Sequence, residues 1–368
     1  MIKYIINNIE HEITFCKSNA LNNIARSIEK VKSDKNVLLV YDDKIEKKIL
    51  QSIFHELKLS GCKIYSLKIK GNKLNKNEKY LFKIIDFLIK NKFTKKSVVL
   101  SCGGGVVGDI AALASSLYLR GTIYFTIPST MTAIVDSAIG GKTGINYKGI
   151  INSMGNYYHP KRVYISEEII KDIPDREYFS GFAEIIKCGL IGNKKIIKYL
   201  IEDKVLNKRI NTKNLSKIIL ETLKTKISFF KNDIKEKNTR LSLNFGHTFA
   251  HAMEMITDKI LKKDYLQHGE AVGLGMLCEI MMSGNNKALF QLTEKLLKKY
   301  HLPFKLDIPS NIKKKIHAGI YNGVFLDKKT KYKYPRYISL KKIGLPKIKE
   351  INDFGILNDT IYKITKNN

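Results

Sequence analysis

The sequence predicts two domains, an α/β domain with a parallel sheet over residues 1–170 and a mostly α-helical domain over residues 171–368. At 368 residues the chain is long for one hydrophobic core. Short β-branched segments alternate with helical periods in the first half, which is typical of a parallel sheet covered by helices on both faces. Amphipathic helical patterns dominate from about residue 174 to residue 302.

Four strands and two helices can be assigned in the N-terminal half. Residues 37–41, 62–67, 98–102 and 122–127 have the apolar, β-branched composition of buried strands. Residues 44–59 and 76–92 lie between them and have helical periods. Near the other end of the chain, residues 324–348 are irregular and basic. We interpret that segment as either a short strand pair or a loop that faces the substrate.

The bulk composition argues against a membrane protein and against a disulfide-stabilised one. The most apolar segment, residues 271–282, is interrupted by Glu279 and is shorter than the roughly 20 residues that span a bilayer. The N-terminus has no basic segment followed by an apolar one, so we expect a cytoplasmic protein without a secretory leader. The five cysteines occur singly, and we interpret them as small buried residues rather than as disulfide partners or zinc thiolates.

The formal net charge of +31 raises the alternative of a basic nucleic-acid-binding protein. Binding of that kind would collapse as salt is added. The lysines, however, are spread over the whole chain among Asn and Ile, which is typical of an AT-biased coding sequence rather than of one basic face. We therefore expect no nucleic-acid partner.

A glycine-rich loop follows the strand at residues 98–102. It reads Gly103-Gly104-Gly105-Val106-Val107-Gly108-Asp109, and a helix of small residues follows it. This is the G-x-G-x-x-G spacing in its strand–loop–helix context, which lets backbone N–H groups at a helix N-terminus approach a pyrophosphate. The loop predicts a Rossmann-like, dinucleotide-binding domain, with a tight structural turn as the alternative.

One feature departs from the usual dinucleotide fold. No acidic residue ends a strand about 20 residues after the loop, where a ribose-binding carboxylate is expected. The available carboxylate, Asp42, lies upstream at the end of the strand at residues 37–41. We therefore expect a sheet that differs from the ordinary Rossmann arrangement.

The helical half contains titratable side chains at helical spacing. Glu184 and Lys187 lie one turn apart and would form either a surface ion pair or part of a site. His247 and His251 form an H-x-x-x-H pair, which suits two metal ligands or two packed histidines, and His268 has no distinctive context of its own. A glutamate with two imidazoles is a common catalytic zinc set that leaves a position open for substrate oxygen. Spacing alone does not say which two histidines belong to it.

Four long motifs, in this order, resemble those of the 3-dehydroquinate synthases, a family of sugar phosphate cyclases. They are residues 120–155 (RGTIYFTIPSTMTAIVDSAIGGKTGINYKGIINSMG), 174–190 (PDREYFSGFAEIIKCGL), 240–254 (RLSLNFGHTFAHAME) and 268–276 (HGEAVGLGM). The resemblance covers most of residues 37–280. It implies a dehydroquinate synthase-like fold with an α-helical, metal-binding C-terminal domain.

The resemblance also implies an activity, a substrate and two cofactors. The family converts a small sugar phosphate, 3-deoxy-arabino-heptulosonate 7-phosphate, to 3-dehydroquinate and phosphate in the shikimate pathway of aromatic amino acid biosynthesis. NAD takes a hydride from a substrate hydroxyl and returns it after phosphate elimination, and an aldol step then closes the ring. A divalent metal, zinc or cobalt, and a homodimer are implied as well. The metal is assigned to Glu184, His247 and His268, and His251 is assigned to the substrate.

Further site residues are carried over position by position. The substrate and catalytic set is Arg120, Asp136, Lys142, Asn152, Lys187, Lys226, Arg240, Asn244 and His251. The cations among them suit a carboxylate and a phosphate, whereas Asp136 and His251 are candidates for proton transfer. The cofactor set is Asp42, Lys76, Gly104, Gly105, Val106, Val107, Gly108, Asp109, Ser129, Thr130 and Lys142.

The chain departs from the family pattern at three positions near the predicted cofactor. Lys73 stands in place of a glutamate, Ile151 in place of a lysine, and Ser129 in place of a threonine. An alignment shifted by one residue would put Asn72 in place of the glutamate and would lose the nearby lysine as well. We therefore predict a functional enzyme with weaker NAD affinity than its relatives. Other sugar phosphate cyclases and polyol dehydrogenases of similar fold are the alternatives within the superfamily, but the retention of Lys187, Arg240 and Asn244 favours the dehydroquinate reaction. Extra residues between His247 and His268 are expected to lengthen a loop at residues 257–266.

Overall fold

A computed structural model describes residues 1–16, 22–148, 150–203, 209–210, 212–261, 264–284, 286–326 and 334–365. The chain divides into two compact units, Met1–Pro174 (unit 1) and Asp175–Asn368 (unit 2). The sequence had suggested a boundary near residue 170. None of the helices in the described ranges has both the length and the apolar character needed to cross a bilayer.

Unit 1 is built on a seven-stranded sheet in the order β1-β2-β9-β6-β5-β3-β4. All neighbouring strands are parallel except β1 and β2, which form an antiparallel hairpin. The strands are β1 Ile2–Ile6, β2 Ile9–Cys16, β3 Asn36–Asp42, β4 Lys63–Ile69, β5 Val98–Gly103, β6 Ile123–Pro128 and β9 Arg162–Ser166. A separate antiparallel pair consists of β7 Lys142–Tyr147 and β8 Ile150–Tyr157. The helices are α1 Asn22–Lys30, α2 Lys47–Leu59, α3 Glu78–Lys90, α4 Gly105–Leu117 and α5 Glu167–Asp172.

The sheet is buried on both faces, which explains the uninterrupted apolar run of β3. Val37 and Leu39 pack on one face with apolar residues of α1 and α2, while Leu38 and Val40 pack on the other with those of α3 and α4. Alternate side chains of a strand point to opposite faces, so a strand covered on both sides is apolar throughout. The α/β prediction is therefore confirmed. Four of the five cysteines are buried as expected, but Cys62 is only partly buried.

The strand order creates a topological switch point between β3 and β5. Counted from β3, the strands β4-β3-β5-β6-β9 follow the order 2-1-3-4-5 of flavodoxin-like sheets rather than the 3-2-1-4-5-6 of the Rossmann fold. Ligands of open α/β sheets bind at the carboxyl ends of the strands at such a point. Here those ends carry Asp42, the last residue of β3, and Gly103, the last residue of β5, with Tyr41 paired to Cys102 just before them.

Unit 2 is mostly helical. Its helices are α6 Asp175–Ser180, α7 Phe182–Gly192, α8 Lys194–Glu202, α9 Thr212–Phe230, α10 His247–Leu261, α11 His268–Met282, α12 Lys287–Lys299, α13 Lys313–Phe325 and α14 Phe354–Thr365. An antiparallel hairpin is formed by β10 Arg336–Leu340 and β11 Pro346–Glu350. The strand-pair interpretation of residues 324–348 is thus confirmed for the described part of that segment. The prediction of a longer loop at residues 257–266 is wrong in part, because residues 257–261 belong to α10.

Two helices of unit 2, α7 and α11, are buried on almost every side. Glycines let other backbone segments approach α11 closely. A Cβ atom on Gly269 would lie 1.8 Å from the carbonyl oxygen of Ser180, and one on Gly275 would lie 1.9 Å from that of Gly246. Both contacts adjoin predicted metal ligands, since Gly269 follows His268 and Gly246 precedes His247. Gly275 therefore sets the distance between α11 and the start of α10, and Gly269 sets the distance between α11 and the end of α6.

Candidate active site

Three side chains of unit 2 converge with the geometry of a metal site. Glu184 of α7, His247 of α10 and His268 of α11 each offer one ligand atom, and these atoms lie within 4.8 Å of one another. Glu184 Oε1 is 3.7 Å from Nε2 of His247 and 3.6 Å from Nε2 of His268. Ligand atoms about 2.0–2.2 Å from one tetrahedral ion lie roughly 3.3–3.6 Å apart. Both carboxylate–imidazole distances are therefore close to those expected around a zinc-type ion.

Hydrogen bonds orient the two histidines for ligation through Nε2. Nδ1 of His268 lies 3.1 Å from Oε2 of Glu254, and Nδ1 of His247 lies 3.3 Å from the carbonyl oxygen of Phe245. A carboxylate or carbonyl acceptor on one ring nitrogen is the usual arrangement for metal-binding imidazoles, because it leaves the other nitrogen free to ligate. Glu254 was not among the predicted residues. The feature of the sequence that pointed to Glu254 was its position one helical turn after His251.

The Glu184–Lys187 pair is buried, so the surface-pair alternative is wrong. Both side chains are 1% exposed, and the Lys187 ammonium contacts Oε2 of Glu184. Burial raises the pKa of Glu184, but the charge of Lys187 and the hydrogen bond and charge of His268 outweigh it and lower that pKa to about 2. The carboxylate is thus ionised at neutral pH and suited to bind a cation.

The start of α11 holds His268 in place. Gln267 and Glu270 form a reciprocal capping box at this helix N-terminus. Arg176 donates two hydrogen bonds to Glu270, both of 2.7 Å, and one of 2.6 Å to the carbonyl oxygen of Tyr265. This bidentate pair joins α6 to the first turn of α11. Arg176 was not predicted as a site residue, and its contribution is to the position of His268.

The other predicted residues of unit 2 lie on α9, α10 and the 3-10 segment Thr239–Asn244. Lys226 and Arg240 are buried. The Arg240 guanidinium donates to the carbonyl oxygen of Ile234 at 2.8 Å, and Asn244 donates to Glu236 at 2.7 Å. The His251 ring centroid is 5.5 Å from that of His247, but His251 does not belong to the group with metal-site geometry in the described chain.

An aspartate missed by the sequence analysis shapes the loop before Arg240. The Asp233 carboxylate accepts backbone hydrogen bonds from Lys237, Asn238 and Arg240 at 2.8, 2.7 and 3.0 Å. Burial raises the pKa of Asp233, but these donors and the Arg240 charge lower it overall. The loop that presents Arg240 is therefore organised around one carboxylate.

In unit 1 the glycine loop has the predicted context. It joins β5 to α4, whose N-cap residue, Gly104, makes no side-chain capping bond. The N–H groups in the first turn of a helix have no partners within the helix, so those of Gly105, Val106 and Val107 can face an anion. Asp42 at the end of β3 is buried, and the carboxylate accepts a backbone hydrogen bond from Lys44 at 3.2 Å. The glycine loop and Asp42 are adjacent because β5 and β3, the strands that they follow and end, are paired.

Lys76 joins two of the predicted cofactor and substrate positions. Its ammonium lies 2.5 Å from Oδ2 of Asp109 and 2.7 Å from Oδ1 of Asn152. Asn152 lies in β8 with a left-handed backbone (φ 49°), and its N–H donates to the side chain of Asn146. Ile151 beside it is exposed. In this chain one lysine therefore connects the glycine-loop helix to the β7–β8 hairpin.

A pocket in unit 1 is lined by Gly104, Asp109, Ser137 and Lys142, among others. Ser129 and Thr130 follow β6 at the same end of the sheet as the glycine loop, and Asp136 lies in the π-helical segment Ala133–Ser137. The predicted residue that stands apart is Arg120. It is exposed in the 3-10 turn that precedes β6, whereas Ser129 follows the other end of that strand. Arg120 does not line the pocket.

Comparison with known proteins identifies relatives over most of the chain. The family described as 3-dehydroquinate synthase N-terminal matches residues 66–180, and that described as 3-dehydroquinate synthase C-terminal matches residues 181–330. The 3-dehydroquinate synthase of Prochlorococcus marinus (strain MIT 9312) is 33% identical over 92% of this chain and 93% of that protein. The enzyme of the same name from Clostridium tetani is 36% identical over 89% of this chain and 86% of that protein.

Solved structures share the fold at lower sequence identity. The 2-epi-5-epi-valiolone synthase of Streptomyces hygroscopicus, with NAD⁺ and Zn²⁺ bound, has a TM-score of 0.83 and 20% identity over 98% of both chains. A 2-deoxy-scyllo-inosose synthase in complex with carbaglucose-6-phosphate, NAD⁺ and Co²⁺ has the same TM-score and identity over 98% of this chain and 99% of that chain. At this level of identity the likeness concerns the fold.

Proposed function

The chain belongs to the 3-dehydroquinate synthase family, and we propose that it forms 3-dehydroquinate with NAD bound in unit 1 and a divalent metal held by Glu184, His247 and His268 in unit 2. One observation carries the proposal. A carboxylate and two imidazoles from three separate helices converge, with Oε1 of Glu184 within 3.7 Å of both Nε2 atoms. Packing alone gives no reason for a buried carboxylate to face two oriented histidines. A metal bound there would act as a Lewis acid toward substrate hydroxyl oxygens.

Unit 1 supports the NAD part of the proposal. NAD supplies a hydride acceptor that can return the hydride within the same active site. The free N–H groups at the start of α4 suit the pyrophosphate, and the buried Asp42 carboxylate at the end of β3 suits the adenosine ribose. The strand order supports the same location, because β3 and β5 flank the switch point. Lys76 and Asp109 would then line the pyrophosphate and ribose.

The chain's own residues bind and orient the anionic substrate. Lys142, Lys187, Lys226 and Arg240 supply positive charge for the carboxylate and the phosphate, and Asn152 and Asn244 add neutral hydrogen bonds. Proton transfer falls to Asp136 or His251, or to the leaving phosphate itself. We also propose that the enzyme is a cytoplasmic homodimer and a phosphate-eliminating lyase. Arg120 is exposed and lies outside the unit 1 pocket. In a dimer it would contact a substrate anion bound in the second copy of the chain.

Phosphate release tests this function. Purified protein, NAD, zinc and 3-deoxy-arabino-heptulosonate 7-phosphate should release inorganic phosphate continuously without net consumption of NAD. Chelation should stop the reaction, and added zinc or cobalt should restore it, because the ligand set suits either ion. Full phosphate release in the presence of a strong chelator would contradict the metal assignment.

NAD affinity tests the three departures from the family pattern. Titration calorimetry should give weaker NAD binding than in relatives that carry the glutamate and the lysine. Lys73 and Ile151 replace those two residues and cannot make their charged contacts. The double change Lys73→Glu and Ile151→Lys should tighten binding about tenfold if each restored contact contributes roughly 0.5–1 kcal/mol. An exposed substitution on the far strand, Lys3→Glu, is the control. Nanomolar NAD binding by the unmodified chain would show that the missing side chains do not matter.

A further inference from the structure

We propose that Tyr124 is a positioning residue for the cofactor, whose hydroxyl group holds the carbonyl group of Gly108 and thereby fixes the first turn of α4. Tyr124 lies outside the predicted ligand, substrate and cofactor sets. The inference rests on the proposed function, because it concerns how the NAD site of unit 1 is held in place.

Three hydroxyl groups lie together in the interior of unit 1. They belong to Ser101 of β5 and to Tyr124 and Thr126 of β6, and none of these residues is more than 3% exposed. Ser101 is paired with Thr126 across the two strands. Its Oγ atom lies 2.8 Å from Oγ1 of Thr126 and 2.8 Å from the hydroxyl oxygen of Tyr124. The three groups therefore form one connected network inside the sheet.

The network lies on the face of the sheet that α4 covers. Tyr124 packs in the same apolar cluster as Val107, Ile110 and Ala111 of that helix. Thr126 is two residues further along β6, and alternate residues of a strand point to the same face. Polar groups in such an interior are retained when hydrogen bonds satisfy them. The network therefore has a partner to satisfy on α4.

That partner is the backbone of the glycine-loop helix. The Tyr124 hydroxyl donates to the carbonyl oxygen of Gly108 at 3.1 Å. Burial raises the pKa of Tyr124 to about 12, so the hydroxyl keeps its proton at neutral pH. Ser101 contacts the same hydroxyl oxygen from β5. One buried side chain thus joins the centre of the sheet to the start of α4.

The first turn of α4 is weakly constrained by its own sequence. It reads Gly105-Val106-Val107-Gly108, and the N-cap residue is Gly104, which has no side chain with which to cap the helix. Glycine loses more conformational freedom than any other residue when it is ordered. The N–H groups of this turn are those that we propose for the pyrophosphate. A donor that already fixes Gly108 reduces the ordering that NAD binding must impose, and preorganisation of this kind increases affinity.

Tyr124 also adjoins the predicted cofactor positions. It lines the unit 1 pocket together with Gly104, Asp109 and Lys142. Asp109 is the residue after Gly108, so a displacement of the Gly108 carbonyl group would displace the Asp109 backbone as well. The Tyr124 hydroxyl therefore supports both the pyrophosphate-binding turn and a predicted cofactor-binding side chain.

NAD affinity of the full-length protein, measured by titration calorimetry at saturating zinc, tests the proposal without reference to activity. Tyr124→Phe keeps the ring and removes only the hydroxyl group. It should bind NAD about 3–10-fold more weakly than the unmodified chain, the range that corresponds to one net hydrogen bond. If Tyr124→Phe does not fold, Ser101→Ala provides the comparison. It leaves the Tyr124 hydroxyl without its contact on β5 and should weaken NAD binding about threefold.

The matched control is Tyr118→Phe, the same chemical change at the other end of the same helix. Tyr118 is the C-cap residue of α4, and its hydroxyl donates to the carbonyl oxygen of Phe93 at 2.8 Å. Its loss should lower the melting temperature without changing NAD affinity. Zinc affinity is the second reference, because the proposed metal ligands are in unit 2. It should be the same in Tyr124→Phe, in Tyr118→Phe and in the unmodified chain.

Each contrary result points to a different error. Unchanged NAD affinity in Tyr124→Phe would overturn the positioning role while leaving the proposed function intact. An equal loss in Tyr118→Phe, or a parallel loss of zinc affinity, would mean that Tyr124 acts only through general stability, which would also overturn the role. If the unmodified chain and Asp42→Ala bound NAD equally, the proposed NAD site itself would be wrong.

Discussion

Replacement of Glu184 by glutamine is expected to abolish metal-dependent phosphate release and to lower the free energy of unfolding of the metal-free protein. The change keeps the size of the side chain but removes the one charged ligand of the proposed site. It also leaves Lys187 without its carboxylate partner in a fully buried position. Breaking a buried ion pair by removing one partner typically costs about 3–5 kcal/mol. Losing about 4 kcal/mol of transition-state stabilisation by a metal corresponds to roughly a thousandfold lower rate.

The matched control is Glu202→Gln in α8 of the same unit. Glu202 pairs with Lys198 at 3.8 Å, but the two side chains are 58% and 70% exposed. A solvated pair of this kind contributes little, so phosphate release and bound metal should be unchanged. The measurements are phosphate release at saturating zinc, metal content after gel filtration, and denaturant unfolding. Release by Glu184→Gln within tenfold of the unmodified chain would remove Glu184 from the proposed chemistry.

Local patterns predicted the fold well where burial imposed a periodicity. The four predicted strands of unit 1 are present as β3, β4, β5 and β6, each close to its expected bounds. The strands β3, β5 and β6 are covered on both faces and mostly apolar, whereas β4 lies at the edge of the sheet and is buried only in part. The β1–β2 hairpin was missed, although Asn7 and Asn8 were its signal. Both have left-handed backbones (φ 49° and 61°), as an Asn-rich two-residue turn requires. Every residue of β8 is exposed, so no alternation of apolar and polar side chains revealed it.

The site could be predicted only in part, because its geometry depends on contacts between distant helices. Helical spacing favours His247 and His251 as a ligand pair, since they share one face of α10. The fold instead brings His268 from the start of α11 toward Glu184, and only the family resemblance suggested it. The group that orients His268, Glu254, has no motif. Its role follows from which helix packs against which, and a single sequence does not contain that information.

Burial of the Glu184–Lys187 pair was unpredictable from its spacing for the same reason. The two residues lie one turn apart, like many exposed pairs, and α7 becomes interior only because other helices of unit 2 surround it. The pair Glu221–Lys224 on α9 has the same spacing and a 3.0 Å contact, yet its lysine is 53% exposed. The contrast provides a matched pair for experiment.

Lys187→Met should therefore destabilise the metal-free protein by about 3–5 kcal/mol, because it leaves the buried Glu184 carboxylate without its main positive partner. Lys224→Met should cost no more than about 0.5 kcal/mol. A bound divalent cation supplies positive charge to Glu184, so zinc should raise the melting temperature of Lys187→Met by more than it raises that of the unmodified chain. Calorimetry with and without zinc measures both effects. An equal loss of stability in the two metal states would mean that Lys187 and the metal do not share Glu184.

The acid dependence of stability gives a second test of the same pair. Burial raises the pKa of Glu184, but Lys187 and His268 lower it from 4.5 to about 2. A lowered folded-state pKa means that the stabilisation is complete above about pH 4.5 and is lost as the pH falls toward 2. Without Lys187 the folded-state pKa should rise toward its ordinary value. The unfolding free energy of metal-free Lys187→Met should then vary less with pH across this range than that of Lys224→Met, and parallel curves would contradict the assigned pairing.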